Sequence, residues 1–257
     1  EIETLTSIPV YGELPRKPRK LKNQEIVVNL EEPSELSECF PLLAERMVAL
    51  SDGNGGNPLS VLITSTCSGE GKTYLSVNLA LSLAVAGKKV LLMDMDLRKG
   101  ALSALLGGAG KPGLGDLEQA GEGGWRSLVE QSPVSDHLDY LFAGTVPDHP
   151  SRLLLHDRIR KLMEEVKEQY DFIFMDCVPY SSLADARIVA RLADVTLYVM
   201  RAGCVKKRDL AGLQKIWKNG ELKRMGIVLC DVEPHGRSSR GYAVYRSLDT
   251  SSPCAGK

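Results

Sequence analysis

An α/β fold, with a mostly parallel sheet covered by helices on both faces, is predicted by two features of the chain. From residue 61 onward, short apolar segments alternate with longer amphipathic ones. Several short segments are apolar at every position, which is typical of strands buried on both faces. With 257 residues, the chain is long enough for one large domain of this kind with appendages.

The sequence predicts six strands and five helices. The predicted strands cover residues 61–66, 89–96, 138–143, 172–177, 195–201 and 226–231. The predicted helices cover residues 34–50, 72–86, 152–169, 183–192 and 207–218. Residues 107–124 hold eight glycines and are predicted to form a loop. Because parallel α/β sheets bind ligands at the carboxyl ends of their strands, we expect the functional site there.

The predicted domain covers residues 34–233 and is flanked by two polar segments. Residues 1–33 are punctuated by prolines and contain the basic cluster Arg16-Lys-Pro-Arg-Lys20. This cluster fits a solvated linker or a contact with anionic lipid. Residues 234–257 are small and polar, and are predicted to be a flexible tail that carries Tyr242 and Tyr245.

Composition excludes several classes of function. The net charge of −1 provides no overall field that would attract nucleic acid, so no nucleic-acid partner is expected. No apolar run approaches the length needed to span a bilayer. The six cysteines lack the paired spacing of a metal site or disulfide framework, which predicts reduced thiols.

A glycine-rich turn between a predicted buried strand and a predicted helix is the most informative local pattern. It reads Thr66-Cys-Ser-Gly-Glu-Gly-Lys-Thr73, with Thr66 where the general phosphate-loop pattern has glycine. Glycines let backbone N–H groups turn onto phosphate oxygens, while the lysine reaches the β and γ phosphates and the threonine hydroxyl ligates Mg²⁺. The chain is therefore predicted to have a P-loop NTPase-like fold and to bind a nucleoside triphosphate with Mg²⁺. The residues predicted to contact it are Ser68, Gly69, Glu70, Gly71, Lys72, Thr73 and Tyr74.

Three carboxylates end two further predicted strands. Asp176 ends the strand at 172–177, where P-loop enzymes place an acid that binds Mg²⁺ through water. Asp94 and Asp96 lie two residues apart, which on a strand points both to one face. Either could accept a proton from an attacking hydroxyl while the other holds the metal. Arg98 would follow on that face, in contact with phosphate or in a surface ion pair.

The segment from Lys89 to Arg98, in which apolar residues precede Asp-x-Asp-x-Arg, resembles the second carboxylate motif of the bacterial tyrosine kinases. The phosphate loop likewise resembles that family's Thr-Ser-x-x-x-Gly-Glu-Gly-Lys-Thr. Further similar segments, which extend the resemblance over residues 7–233, are Ile8-Pro-Val-Tyr-Gly-Glu-Leu-Pro15, Ala143-Gly-Thr-Val-Pro-x-x-Pro-Ser-x-Leu-Leu154, Tyr170-Asp-x-Ile-x-Met-Asp176, Leu183-Ala-Asp-Ala186 and Tyr198-Val-x-Arg-Ala-Gly203.

This resemblance implies an ATP-dependent protein-tyrosine autokinase that regulates exopolysaccharide or capsule synthesis and export. Lys72, Asp94 and Asp96 would be catalytic, and Thr73, Asp94 and Asp176 would hold Mg²⁺. The acceptors would be Tyr242 and Tyr245 in the tail of a neighbouring copy. Residues 1–33 would be a juxtamembrane-type segment at the cytoplasmic side of the bacterial inner membrane. The implied partners are other copies of the chain, a membrane-spanning co-polymerase part on the same or a separate chain, and a tyrosine phosphatase.

Departures from the family pattern leave two alternatives open. The family's oligomerisation helix reads Glu-x-x-Arg-x-x-Arg, whereas this chain has Glu38, Pro41 and Ala44 at those positions, which predicts weaker self-association. This favours, as one alternative, a weakly active or non-catalytic ATP-binding regulatory module of a polysaccharide co-polymerase. The other is a partitioning-type P-loop ATPase, but its signature lysine would fall at Cys67.

Overall fold

The computed structural model describes residues 6–18, 21, 24–28, 35–121, 123–181, 183–204 and 206–233. Within these ranges, eight strands form one sheet. The strands are β1 (Val10–Pro15), β2 (Leu59–Ser65), β3 (Val90–Asp94), β4 (Val129–Gln131), β5 (Leu138–Leu141), β6 (Phe172–Asp176), β7 (Val195–Arg201) and β8 (Met225–Val232). Their spatial order is β1-β8-β7-β2-β6-β3-β5-β4, and all neighbours are parallel except β4 and β5.

Helices cover both faces of this sheet. They are α1 (Glu35–Asp52), α2 (Lys72–Val85), α3 (Ala101–Leu105), α4 (Leu117–Ala120), α5 (Pro150–Leu155), α6 (Asp157–Lys167), α7 (Ala184–Val189) and α8 (Lys207–Lys218). Two short 3₁₀ turns lie at Leu114–Asp116 and Gly124–Leu128. None of the helices within the described ranges has the length and apolarity needed to cross a membrane.

The alternation of side chains along the central strands divides the core in two. Val61 and Ile63 of β2 pack in one cluster with Leu79 of α2, whereas Leu62 packs in the other with Leu162 of α6. Because both sets are buried, the strand is apolar on both faces, which explains its uninterrupted apolar sequence. The predicted mostly parallel sheet with helices on both faces is therefore confirmed.

All six predicted strands are present, with ends shifted by two residues or fewer. Two further strands, β1 and β4, were not predicted from the sequence. The β4 strand is only three residues long. The β1 strand pairs with β8 at the sheet edge, although residues 10–15 were predicted to lie outside the domain. An edge strand that contains Gly12 and Pro15 has little apolar alternation, so its pairing is visible only in the fold.

One predicted helix and one predicted loop were wrong, and a second predicted helix is present but shorter than expected. The helix predicted over residues 152–169 is broken at His156, whose backbone is extended and whose side chain accepts the Arg158 N–H at the start of α6. The helix predicted over 183–192 ends at Val189. The loop predicted over 107–124 contains α4 and both 3₁₀ turns, because buried Leu114, Leu117 and Trp125 anchor it to the core.

Part of the predicted organisation lies outside the described residues. The tail at 234–257, including Tyr242 and Tyr245, is among them, as are several positions within 1–34. Within the described part of the chain, the carboxyl ends of β1, β8, β7, β2, β6 and β3 meet along one edge of the sheet. That edge carries the residues predicted to act together.

Candidate functional site

The glycine-rich turn follows β2 and leads directly into α2. Gly69 and Gly71 have φ angles of 83° and 101°, a region that favours glycine. A β-carbon on Gly71 would also lie 3.3 Å from the Cys230 sulfur. Gly71 is the N-cap of α2 and supplies no side-chain cap, so the first N–H groups of the helix are available to an anion.

Lys72 and Thr73 begin α2 and point toward neighbouring strand ends. The Lys72 ammonium donates to the Ser65 hydroxyl over 3.2 Å, and the Thr73 hydroxyl donates to Asp176 over 2.7 Å. Ser76, one turn further along the helix, donates to the other carboxylate oxygen of Asp176 at 3.0 Å. The phosphate-loop helix and the end of β6 are thus joined through one carboxylate.

Asp176 is nearly fully buried beside a second carboxylate. It pairs in register with Asp94 on the adjacent strand β3. Burial is the main cause that raises the pKa of Asp176 to about 7; the Asp94 charge raises it further, while Thr73, Lys72 and Ser76 oppose the shift. This pair of buried acids lacks a full complement of positive charge, which is a setting that a cation would stabilise.

The prediction that Asp94 and Asp96 point to one face of a strand was wrong. The strand ends at Asp94, which is fully buried and accepts the N–H and hydroxyl of Ser103 at 2.8 and 2.7 Å. Asp96 lies in the following turn, half-buried, where one carboxylate oxygen accepts the N–H groups of Arg98 and Lys99. Asp96 lines the cleft described below, whereas Asp94 is held inside the protein.

Two residues predicted to contact the nucleotide have other partners. The Glu70 carboxylate is buried and accepts the Cys67 N–H at 2.6 Å, so it bonds the loop's own backbone. The Tyr74 ring is covered by the Lys17 ammonium, 3.9 Å from its centroid, and its hydroxyl is buried without a hydrogen-bond partner among the described residues. Ser68 and Gly69 are exposed at the tip of the loop.

Arg98 is tied to a distant part of the chain. Its Nε donates to Asp185 of α7 at 2.8 Å, and Nη2 donates to the Ser151 hydroxyl of α5 at 3.4 Å. Of the two arrangements that the sequence allowed, the ion pair is therefore present, while the arginine also lines the cleft.

These residues surround a cleft of about 1100 Å³ along the sheet edge. Its centre is formed by the phosphate loop with Lys72 and Thr73. On one side lie residues at or just after the ends of β6 and β3, among them Asp176, Asp96 and Arg98. On the other side lie residues from the ends of β7, β8 and β1, which are Arg201, Cys230, Asp231 and Leu14 to Lys17.

The chemistry of this donor set suits a hard divalent cation. Thr73, Asp94, Asp96 and Asp176 offer oxygen ligands, the type that Mg²⁺ prefers, and two of the acids are buried together. No cluster of three or more His, Cys, Asp or Glu side chains able to hold a metal alone occurs in the described ranges. In proteins, Mg²⁺ is usually held by one or two carboxylates, while substrate phosphates and water supply the other ligands.

We expect the free energy of unfolding of the metal-free protein to fall between about pH 4 and 7 through Asp176. Because its folded pKa of about 7 exceeds the ordinary 3.8, the unfolded chain releases this proton at lower pH than the folded one. The loss from this group is about 1.4 kcal/mol per pH unit within that window and levels off above it. Asp176→Asn removes the titrating group and should flatten the dependence. Urea unfolding of both proteins with a chelator across this range measures the difference, and parallel curves would contradict the raised pKa.

Several residues that shape the site were not singled out by sequence reasoning. Ser76 lies one helical turn after Lys72 and therefore on the same face of α2. Its contact with Asp176 could have been predicted from this spacing. Ser103, Ser151 and Asp185 sit on separate helices, and their contacts depend on how those helices pack. Ser151 and Asp185 belong to segments that match the tyrosine-kinase pattern, but the match alone does not indicate what each residue does.

Comparison with known proteins first defines the class. The family described as CobQ/CobB/MinD/ParA nucleotide binding domain matches residues 61–256, which include the phosphate loop and the three acids. Sequence match, sheet order and loop geometry together define a P-loop nucleotide-binding domain of this type.

Individual relatives define the group more narrowly. Tyrosine-protein kinase YwqD of Bacillus subtilis (strain 168) is 31% identical over 231 residues, which are 88% of this chain and 94% of that protein. The BceF tyrosine kinase domain superposes with a TM-score of 0.75 at 28% identity, over 90% of this chain and 97% of that one. EpsB of Ralstonia nicotianae is 35% identical over 209 residues, which are 79% of this chain but 27% of that protein. The chain thus spans about a quarter of the length of such relatives. It belongs to the bacterial tyrosine-kinase family.

Proposed function

We propose that this chain is an ATP-dependent protein-tyrosine kinase that phosphorylates tyrosines in the tail of another copy of itself. The observation that carries the proposal is the cleft at the sheet edge. There the phosphate loop, the hydrogen-bonded pair of half-buried Thr73 and buried Asp176, and the accessible carboxylate of Asp96 meet. A triphosphate site beside an accessible carboxylate is what phosphoryl transfer to a hydroxyl requires.

In this proposal the nucleotide lies along the cleft with its phosphates on the glycine-rich turn. Backbone N–H groups from Ser68 to Tyr74 and the Lys72 ammonium bind the β and γ phosphates. The terminal phosphate points toward the ends of β6 and β3, where the acids lie. The nucleoside extends the other way, toward Arg201, Asp231 and the residues after β1.

Thr73 and Asp176 are proposed to hold Mg²⁺, with Asp94 behind them contributing negative charge. When bound, the ion would neutralise charge on the β and γ phosphates. Lys72, whose ammonium lies 3.2 Å from the Ser65 hydroxyl, is near enough to the loop to turn onto a phosphate instead. Asp176 must be ionised to bind metal, so its raised pKa predicts weaker metal binding below about pH 7.

The transfer itself joins a tyrosine to the terminal phosphate. The phenol oxygen forms a bond to the γ phosphorus, the bond from that phosphorus to the β–γ bridging oxygen breaks, and ADP leaves. The phenol proton passes to Asp96, whose second carboxylate oxygen has no hydrogen-bond partner within the described residues. A phenol is a weak nucleophile at neutral pH, so positioning and charge stabilisation supply most of the rate.

The substrates and partners proposed here follow the family. Tyr242 and Tyr245 are the acceptors, and a tyrosine phosphatase reverses their modification. The chain works with a membrane-spanning co-polymerase part, on the same or a separate polypeptide, at the cytoplasmic face of the inner membrane. There its phosphorylation state regulates exopolysaccharide or capsule synthesis and export.

Intact mass and peptide mapping, before and after incubation with ATP and Mg²⁺, test this function. Phosphate on Tyr242 or Tyr245 is the expected result, and Tyr242→Phe/Tyr245→Phe is the matched control that should remain unmodified. Bound nucleotide without added phosphate would favour an ATP-binding regulatory module instead. Release of phosphate to water alone would favour a plain ATPase.

The partitioning-type ATPase is the less favoured alternative. Its signature lysine would occupy the position of Cys67, which is exposed on the phosphate loop. Among the cations that line the cleft, Arg16 and Lys17 come from the N-terminal residues, and Arg98 and Lys99 come from the turn after β3. A lysine that reaches the nucleotide of a second subunit is therefore not supplied at the expected place.

We expect this chain to self-associate more weakly than its relatives, because the surface of α1 lacks the arginine pair of the family motif. Pro41 lies inside the helix on its exposed side, and Ala44 faces the core. Arg46 is exposed, but it donates to the carbonyl oxygens of Val10 and Tyr11. Light scattering at micromolar concentration should therefore find small species, and a stable ring would contradict the expectation.

Pro41→Arg, with Pro41→Ala as its control, separates the charge from the helix effect. Both replacements restore the helical N–H that proline lacks, so both should raise helix stability. Only the arginine adds a cation at the exposed position, so only Pro41→Arg should increase the average mass in solution. Equal masses for the two variants would show that this position does not govern association.

A further inference from the structure

Arg98 is held at the cleft in an unusual way. Its partner Asp185 has a side chain only 3% exposed, whereas the guanidinium side chain is 40% exposed. Other ion pairs at this cleft, such as Lys17–Glu25 and Arg201–Asp231, use carboxylates that are more open to solvent. A buried carboxylate costs free energy unless it is fully paired, so a surface ion pair alone does not explain the burial of Asp185.

Three separate crossovers converge on this guanidinium. Arg98 lies after β3, Ser151 on α5 after β5, and Asp185 on α7 after β6. One oxygen of Asp185 accepts Arg98 Nε, and the other accepts the Ser151 hydroxyl, which in turn accepts Arg98 Nη2. Burial raises the pKa of Asp185, but the hydrogen bonds from Arg98 and Ser151 outweigh it, so the pKa is lowered and the carboxylate stays ionised.

These three hydrogen bonds among Arg98, Asp185 and Ser151 leave one nitrogen of the guanidinium free within the described part of the chain. Nε and Nη2 are occupied, while Nη1 has no hydrogen-bond partner among the residues that the structure describes. Arg98 also lies two residues after Asp96 and lines the same cleft as Lys72 and Asp176. A guanidinium fixed on one side and open on the other is suited to bind a phosphate oxygen.

We infer that Asp185 and Ser151 are positioning residues that hold Arg98 against the terminal phosphate of the bound nucleoside triphosphate. This inference rests on the proposed function and adds a cation to the end of the cleft where transfer occurs. The contact exists with a triphosphate and is absent with a diphosphate. Arg98 therefore favours ATP over ADP, and it stabilises the charge of the phosphoryl group during transfer.

The ratio of the dissociation constants for ADP and ATP, measured by displacement of a fluorescent nucleotide, tests the inference without using kinase activity. Arg98→Ala and Asp185→Asn should each lower this ratio roughly tenfold, as loss of a charge-assisted hydrogen bond predicts. Ser151→Ala should lower the ratio less than the other two variants and should disturb folding least. It therefore replaces Asp185→Asn in the test if that variant does not fold. Arg160→Ala, which removes an exposed ion pair to Asp157 on α6, is the matched control and should leave the ratio unchanged.

The double variant Arg98→Ala/Asp185→Asn separates positioning from mere stabilisation. If Asp185 acts through Arg98, the double variant discriminates ATP from ADP as poorly as Arg98→Ala and no worse. An unchanged ratio in Arg98→Ala, or full discrimination in Asp185→Asn and Ser151→Ala, would overturn the inference while leaving the kinase proposal standing. Failure of the wild-type chain to bind either nucleotide would overturn both.

Discussion

Lys72→Met should abolish phosphorylation of tyrosine while leaving the fold intact. The lysine is the phosphate-loop cation, and removing a preorganised charge of this kind lowers a transfer rate by about 10³. Among the described side chains its ammonium makes one hydrogen bond, to the Ser65 hydroxyl, so the folded state loses one weak hydrogen bond. Incorporation of phosphate followed by mass spectrometry, beside a thermal unfolding curve, measures both effects.

Lys88→Met is the matched control for that experiment. Lys88 precedes β3, at the edge of the sheet opposite the cleft. The Lys88→Met variant therefore loses the same charge as Lys72→Met without changing the site. It should phosphorylate at the wild-type rate. Unchanged tyrosine phosphorylation in Lys72→Met would contradict the mechanism, and a cooperative unfolding transition like that of the wild type is required to interpret a loss.

Asp96→Asn should lower the rate of transfer by roughly 10²–10⁴, the range found for loss of a general base. Asp96 is half-buried, lines the cleft and retains an oxygen without a partner in the described ranges, so the asparagine fits without rearrangement. Nucleotide affinity and stability should change little. The rate constant for phosphate transfer and the dissociation constant for ATP, measured on the same protein, distinguish these effects.

Asp94→Asn provides the contrast. Asp94 is fully buried and accepts three hydrogen bonds, from Ser103 twice and from the Asp96 N–H. An asparagine leaves at least one of these groups poorly paired, which should destabilise the fold by about 1–3 kcal/mol. If Asp94→Asn instead lost transfer at unchanged stability while Asp96→Asn remained active, the proposed roles of the two acids would be reversed.

Where the functional residues are contiguous in the sequence, both their position in the site and their chemistry could be predicted. The phosphate loop was recognisable because glycines, lysine and threonine lie within eight residues between a buried strand and a helix. The acids were recognisable because each follows an apolar run, and the carboxyl ends of parallel strands meet at one edge. The rule that parallel strands share one carboxyl edge was therefore enough to predict that Lys72, Thr73 and Asp176 lie close together, although Thr73 and Asp176 are 103 residues apart.

Contacts between distant segments depend on packing and could not be read in this way. Arg98 and Asp185 lie 87 residues apart, and Arg98 and Ser151 lie 53 apart. The different surroundings of Asp94 and Asp96 follow from where β3 ends and where α3 places Ser103, not from their spacing. The pairing of β1 with β8 likewise adds Leu14 to Lys17 to the cleft from the opposite end of the chain. Local patterns in the chain specified the type of fold and the phosphate-binding chemistry, whereas the packing of helices around the sheet determined which carboxylate is accessible and which arginine is held beside it.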